Sequence, residues 1–343
     1  MIKLFVRISL DSSRDPRFTD EVKVFHQLAA TLQQPSSSLS PELLRAWLED
    51  LHSKGNEKLN GTFNGKLEEK QVKTNSADIP INIYTPINTN KDKLVVYFHG
   101  GGWTVGSRRT HQTIINLLAD ATKTVWISVE YRLSPEHKYP IWLDDTCAVT
   151  KHIIENKESY GWFVYLSISL FDLTILIIHL GVDKTAKIGV AGDSAGGTIS
   201  AAVSQEMKNI DFQILVYGWY DFTRSAPSYK EFTDEQYLST PALLDLSIKN
   251  AFNNEVDAND PRISVLRNTS PDRLPPTLFI VAELDPLRDD SYAYKEILDK
   301  AGVKNKLVLF KGVIHDFFAL PGTYPKACAQ AIDAVQEFMA SIS

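Results

Sequence analysis

The chain has 343 residues, with 36 Lys+Arg against 42 Asp+Glu and a formal net charge of −6. Hydrophobic residues at 43% and charged residues at 23% lie near soluble-protein averages, which excludes a collagenous, low-complexity or polytopic membrane chain. The acidic balance argues against nucleic-acid partners, which need a basic face to displace phosphate counterions, and the length suits one large or two ordinary domains.

The first ten residues are apolar but interrupted by Lys3 and Arg7, with no small-residue cleavage site after them, so no signal peptide is expected. Up to about residue 70 the texture is polar and helical: Pro41 opens the run PELLRAWLEDL behind Ser40, a suitable N-cap. A helical appendage over 1–75 is predicted. Runs rich in β-branched and aromatic residues follow at 79–85, 93–99, 124–131, 187–192, 212–218, 277–284 and 306–312. Several are continuously apolar, as strands covered on both faces must be.

Helical patterns at 111–122, 195–207, 291–302 and 324–342 separate most of these runs. The alternation predicts an α/β fold with a mostly parallel, doubly wound sheet flanked by helices. Residues 219–265, rich in Tyr, Asp, Ser and Pro, break the rhythm and read as an excursion above the sheet. Cys147 and Cys328 are too few for a disulfide scaffold and lie in no metal-binding spacing, so they read as free thiols of a reducing, cytoplasmic compartment.

Gly192-Asp193-Ser194-Ala195-Gly196 fits G-x-S-x-G between an apolar strand and a small-residue helix. Such a nucleophile elbow needs small neighbours so that the backbone can bend and lift the serine hydroxyl clear of the sheet edge. The hydroxyl needs a base, and in hydrolases of this type the order along the chain is Ser, acid, His. Seven of the eight histidines precede Ser194, leaving His315 as the base. Between them, Asp285 stands just beyond the strand TLFIVAEL, at the same sheet edge as the elbow; Glu283 is the nearest rival, and Asp221 is weaker. His99-Gly100-Gly101-Gly102-Trp103 ends another buried strand. Its bare backbone would let the N–H groups of Gly101 and Gly102 join that of Ala195 as an oxyanion hole. No phosphate loop, zinc motif or dinucleotide-binding glycine pattern is present, so no metal or cofactor is expected.

HGGGW at 99–103, YRLSPEHKYP at 131–140, GDSAGG at 192–197, DPLRDD at 285–290 and His315-Asp316-Phe317 together resemble the hormone-sensitive-lipase-like family of α/β-hydrolases, which includes carboxylesterases and arylacetamide deacetylases. The resemblance runs from about residue 79 to the C-terminus. It implies an α/β-hydrolase fold and a serine carboxylesterase acting on small esters with short- to medium-chain acyl groups, through Ser194, Asp285 and His315, with Gly101, Gly102 and Ala195 as the oxyanion hole. It also implies a helical cap built from about 1–75 and 219–260, the two stretches outside the βα rhythm. Asp290 stands where the family more often has glutamate. The sister formamidases tend to carry a bulky residue in the glycine run and a histidine before the nucleophile; Gly102 and Asp193 stand there instead, which leaves amide cleavage as the secondary reading. A non-catalytic ligand receptor is the alternative from another class, disfavoured by the presence of His315.

One segment does not fit. Residues 163–180 read FVYLSISLFDLTILIIHL, with 13 apolar residues among 18. A membrane span there would divide strands 93–99 and 124–131 from strand 187–192, and one hydrogen-bonded sheet cannot be divided by a bilayer. Two readings remain for 161–180: a true insertion, docked on the body, a membrane surface or a partner, or a short intron translated in frame between the glycines at 161 and 181. The second is preferred, because joining residue 160 to 181 restores a continuous family-like sequence.

Overall fold

A computed structural model describes residues 15–32, 40–161, 164–169, 172–179 and 181–342, without the side chains of 162–180 and 255–256. The leader reading of residues 1–10 lies outside the described residues. Two helices come first, α1 (Asp20–Thr31) and α2 (Pro41–Gly55). The Ser40 hydroxyl accepts from the Leu43 N–H at 3.4 Å and Pro41 opens the helix, as its fixed φ and missing donor favour. Then come β1 (Lys66–Lys73), β2 (Asp78–Thr85), β3 (Lys93–Phe98), α3 (Gln112–Thr122), β4 (Val125–Val129), α4 (Ile141–Glu155), β5 (Val164–Ser169), β6 (Asp172–His179), β7 (Lys187–Asp193) and α5 (Ala195–Glu206). The chain continues through β8 (Phe212–Val216), three helices α6 (Ser228–Glu231), α7 (Pro241–Ala251) and α8 (Glu255–Ala258), then β9 (Thr277–Leu284), α9 (Arg288–Lys300), β10 (Asn305–Ile314) and α10 (Pro325–Ala340).

Eight strands form one sheet in the order β1-β2-β4-β3-β7-β8-β9-β10. Pairing is antiparallel at β1–β2 and β2–β4 and parallel from β4 through β10. Side chains alternate between two apolar layers, as the period of a strand requires. Val95 and Tyr97 of β3 face the layer that holds Ile114 and Leu118 of α3 and Val335 of α10. Leu94, Val96 and Phe98 face the layer of Trp142 and Val149 of α4 and Ile199 and Val203 of α5. From β3 the chain winds outward to β4, and from β7 it winds the other way to β10. The switch point therefore lies between the carboxyl ends of β3 and β7, the crevice where open α/β sheets place ligands.

Strand β1 corrects the sequence reading, which carries the helical texture to about residue 70. KLEEKQVK pairs with β2 along its whole length, yet only Val72 is buried. An edge strand with a solvated face carries no apolar alternation to betray it. Within 161–180, β5 and β6 pair with each other as a separate two-stranded antiparallel sheet, unconnected to the main one. At its base the Val182 N–H donates to the Tyr160 carbonyl at 3.0 Å. Among the described residues no helix is long and apolar enough to cross a membrane.

Candidate active site

The bend between β7 and α5 holds Ser194 at φ 52° and ψ −120°, a strained conformation for a residue with a side chain. Here Gly196 permits close approach: a methyl group on it would overlap the carbonyl of Phe98 at the end of β3. His315 follows β10, whose register against β9 shifts between Phe310 and Ile314. Its Nε2 lies 2.8 Å from Ser194 Oγ, and its Nδ1 lies 2.7 Å from Asp285 Oδ2. Asp285 is fully buried, and its other oxygen accepts from the Leu287 N–H at 2.8 Å. Burial pulls the His315 pKa down, but the charge and hydrogen bond of Asp285, backed by Asp316 and Asp193, outweigh it and hold the imidazole above its ordinary 6.5.

The rival acids are occupied elsewhere. Glu283 accepts the Gly312 N–H at 2.7 Å within the β10 irregularity. Asp221 caps its own turn through Thr223 and Ser225. Asp290, the departure from the family pattern, accepts from the N–H groups of Tyr220 and Asp221 at 2.9 and 2.8 Å, fixing the backbone beside Trp219.

The glycine run turns over the serine with Gly101 at φ 112° and Gly102 at φ 56°, angles open to residues without a Cβ. Among the described residues no protein acceptor takes the N–H of either, and Ala195 opens α5, where first-turn N–H groups have no partner within the helix. The loop itself is braced. Tyr131 donates to the His99 carbonyl at 2.8 Å and stacks on the His99 ring at 4.4 Å, which explains part of the YRLSP motif. Trp103 is fully buried and stacks on Trp142 at 5.3 Å. A cavity of about 140 Å³ opens onto Ser194, Gly101, Gly102 and His315. Its walls are largely apolar, with Leu44, Trp47 and Leu48 from α2, Leu243 and Leu244 from α7, and Trp219; among the described residues no Lys or Arg lines it.

Residues 95–319 match the alpha/beta hydrolase fold family. The chain belongs to it. Carboxylesterase NlhH of Mycobacterium tuberculosis is 32% identical over 269 residues, covering 74% of this chain and 77% of its own. An arylesterase of Saccharolobus solfataricus is 29% identical, covering 76% and 79% of the two chains. Among solved structures, an esterase of Pyrobaculum calidifontis superimposes with a TM-score of 0.77 at 27% identity, covering 92% of this chain and 98% of its own. A thermostable esterase of Pseudomonas putida gives a TM-score of 0.80 at 26% identity over 96% and 99%. These relatives place the hydrolase among the hormone-sensitive-lipase-like carboxylesterases, as the motifs anticipate.

Sequence reasoning missed part of the hydrolase's site. Asp193, next to Ser194, is fully enclosed: its Oδ1 accepts from Tyr97 at 2.6 Å and from the Gly100 N–H at 3.0 Å, and its Oδ2 lies 3.3 Å from His111 Nε2. Burial would raise its pKa, but the His111 charge and the hydrogen bonds of His111 and Tyr97 prevail and hold the carboxyl at about 2. For His111 burial acts downward and Asp193 overcomes it, so the imidazole is raised. These partners are 82 residues apart and share no motif; only the requirement that a buried carboxylate be paired could have prompted a search for one.

Proposed function

We propose that this α/β-hydrolase is a serine carboxylesterase in which Ser194 is the nucleophile, His315 the base and Asp285 the residue that orients the imidazole and stabilises its protonated form. The observation that carries this reading is the continuous relay Asp285–His315–Ser194, with contacts of 2.7 and 2.8 Å, ending at an apolar cavity beside unpartnered backbone donors. His315 Nε2 takes the serine proton as Oγ attacks the ester carbonyl. The developing oxyanion is received by the N–H groups of Gly101, Gly102 and Ala195, each contributing on the order of 3 kcal/mol. Collapse expels the alcohol, which leaves with the proton from His315, and an acyl-enzyme remains. Water, deprotonated by the same imidazole, then releases the acid and restores the serine.

The cavity supports a short acyl group. At about 140 Å³ it is close to the roughly 150 Å³ that accommodates benzene, a six-carbon ligand. The two free cysteines, Cys147 and Cys328, suit a cytoplasmic setting. Hydrolysis of p-nitrophenyl esters from acetate to decanoate tests the reading. Rates are expected to be highest at or below hexanoate and to fall beyond it, Ser194→Ala is expected to be inactive, and a fluorophosphonate is expected to label only the parent protein. Full activity of Ser194→Ala would overturn the assignment.

A further inference from the structure

We propose that His52 of helix α2 is a positioning residue for ester hydrolysis, joining the loop of His315 to the oxyanion loop through Thr110, His111 and Asp193. The inference rests on the triad assigned above. Each end of the serine–histidine pair has an aspartate as chain neighbour: Asp193 before Ser194, and Asp316 after His315. Asp316 sits at φ 71°, in the left-handed region that aspartate adopts more readily than most residues, and turns the chain directly after His315. His52, fully buried, has its Nε2 at 3.3 Å from Asp316 Oδ2. Its Nδ1 lies 3.0 Å from the Thr110 carbonyl oxygen, so the ring bridges two acceptors, and holding both takes a proton on each nitrogen.

The same threonine continues the connection. Its hydroxyl donates to the Ser107 carbonyl at 2.9 Å, which leaves Oγ1 to accept from His111 Nδ1 at 2.8 Å. His111 reaches Asp193, and Asp193 holds the Gly100 N–H, one residue from the predicted oxyanion donors. The rings of His52 and His111 lie 5.5 Å apart, so the path is contiguous. Leu44, Trp47 and Leu48 stand one to two turns before His52 on the same helix, Leu51 directly precedes it, and all four line the cavity. A single helix thus walls the substrate site and grips the two loops that must be held in register for reaction.

Two variants of similar size separate the contacts. In His52→Asn the amide replaces Nδ1 and keeps the Thr110 bond but does not reach Asp316; in His52→Gln the longer amide reaches Asp316. With p-nitrophenyl butyrate, His52→Asn is expected to lower kcat by about tenfold with KM changed less than about twofold, because a small misplacement of reacting groups acts on the rate while the leucine walls remain. His52→Gln is expected to recover most of the loss, and fluorophosphonate labelling rates should follow kcat, with unfolding midpoints of the two variants alike. Parent-like kcat in both variants would overturn the proposal, as would equal losses tracking a lowered midpoint. Ser194→Ala, run alongside, keeps the readings apart: activity retained there sinks the triad, whereas an inactive Ser194→Ala with a fully active His52→Asn sinks only the role of His52.

Discussion

Asp193 Oδ1 receives the Gly100 N–H at 3.0 Å, so the residue that precedes the nucleophile also tethers the loop expected to stabilise the oxyanion. The Ser194 turn and the glycine run are thereby held by one carboxylate, which is fully buried and faces His111. Removing it by Asp193→Ala strands two donors and a buried imidazole. The expected cost is about 3–5 kcal/mol in urea unfolding and a loss of about 10²-fold in kcat, comparable to losing an oxyanion donor.

The same pair sets a pH dependence of stability. Asp193 is held at about 2, below its ordinary 3.8, so its contribution is complete above pH 3.8 and disappears as pH falls through 2. His111 is raised above 6.5, so its contribution is complete below pH 6.5 and is lost as pH rises through its folded value. Asp193→Asn keeps an acceptor for Gly100 and Tyr97 but removes the charge that raises His111. The urea midpoint of the parent should therefore decline above pH 6.5 more steeply than that of Asp193→Asn. His315, raised in the same direction, keeps some slope in both proteins. Parallel midpoint–pH curves for the two proteins would count against the pair.

Activity should follow the base. His315 must be neutral to take the serine proton, and its pKa lies above 6.5, so kcat/KM is expected to rise with pH along a limb centred above that value. Asp316 is one of the charges that raises it. Asp316→Asn should move the limb to lower pH whatever it does to the plateau. Asp285→Asn should lower kcat by a factor on the order of 10⁴, because the wrong tautomer is then held. A limb unchanged in Asp316→Asn would show that its charge is not felt at His315.

The legible parts of this molecule are those whose chemistry is local in sequence. Ser194 stands out by the glycines around it, Asp285 by its place just past an apolar strand, and His315 as the sole histidine after residue 194; the structure brings the three together. The buried parallel strands are continuous apolar runs for the same reason. His52 and Asp316, 264 residues apart, meet through tertiary packing alone. Strand β1 is polar because it lies at a sheet edge, and the cavity walls on α2 and α7 are ordinary amphipathic leucines until the fold turns them toward Ser194.

Trp47 is the largest side chain that α2 contributes to the cavity wall. Trp47→Ala enlarges the space available to an acyl chain and removes contacts from short ones. Since each methylene in such a pocket is worth about 1–3 kcal/mol, the octanoate-to-butyrate ratio of kcat/KM should rise by at least about tenfold. An unchanged ratio would place the acyl chain elsewhere in the cavity.

The Tyr160 carbonyl and the Val182 N–H meet at 3.0 Å, and both side chains lie in the same buried layer. The body therefore closes at the base of the β5–β6 pair without using it. If residues 161–180 are removed, Gly181 alone separates Tyr160 from Val182, and the existing contact becomes the three-residue hydrogen bond of a γ-turn, in which a central glycine can take either hand. The shortened chain is expected to express in soluble form, to unfold at a urea midpoint no lower than that of the parent, and to label at Ser194 with a fluorophosphonate at the parent rate. A shortened chain that fails to fold, beside a full-length chain that labels, would make the strand pair part of the fold. Sequencing the transcript separates the two origins of the segment: a message from which codons 161–180 are spliced identifies a translated intron, and a message that always retains them identifies a true insertion.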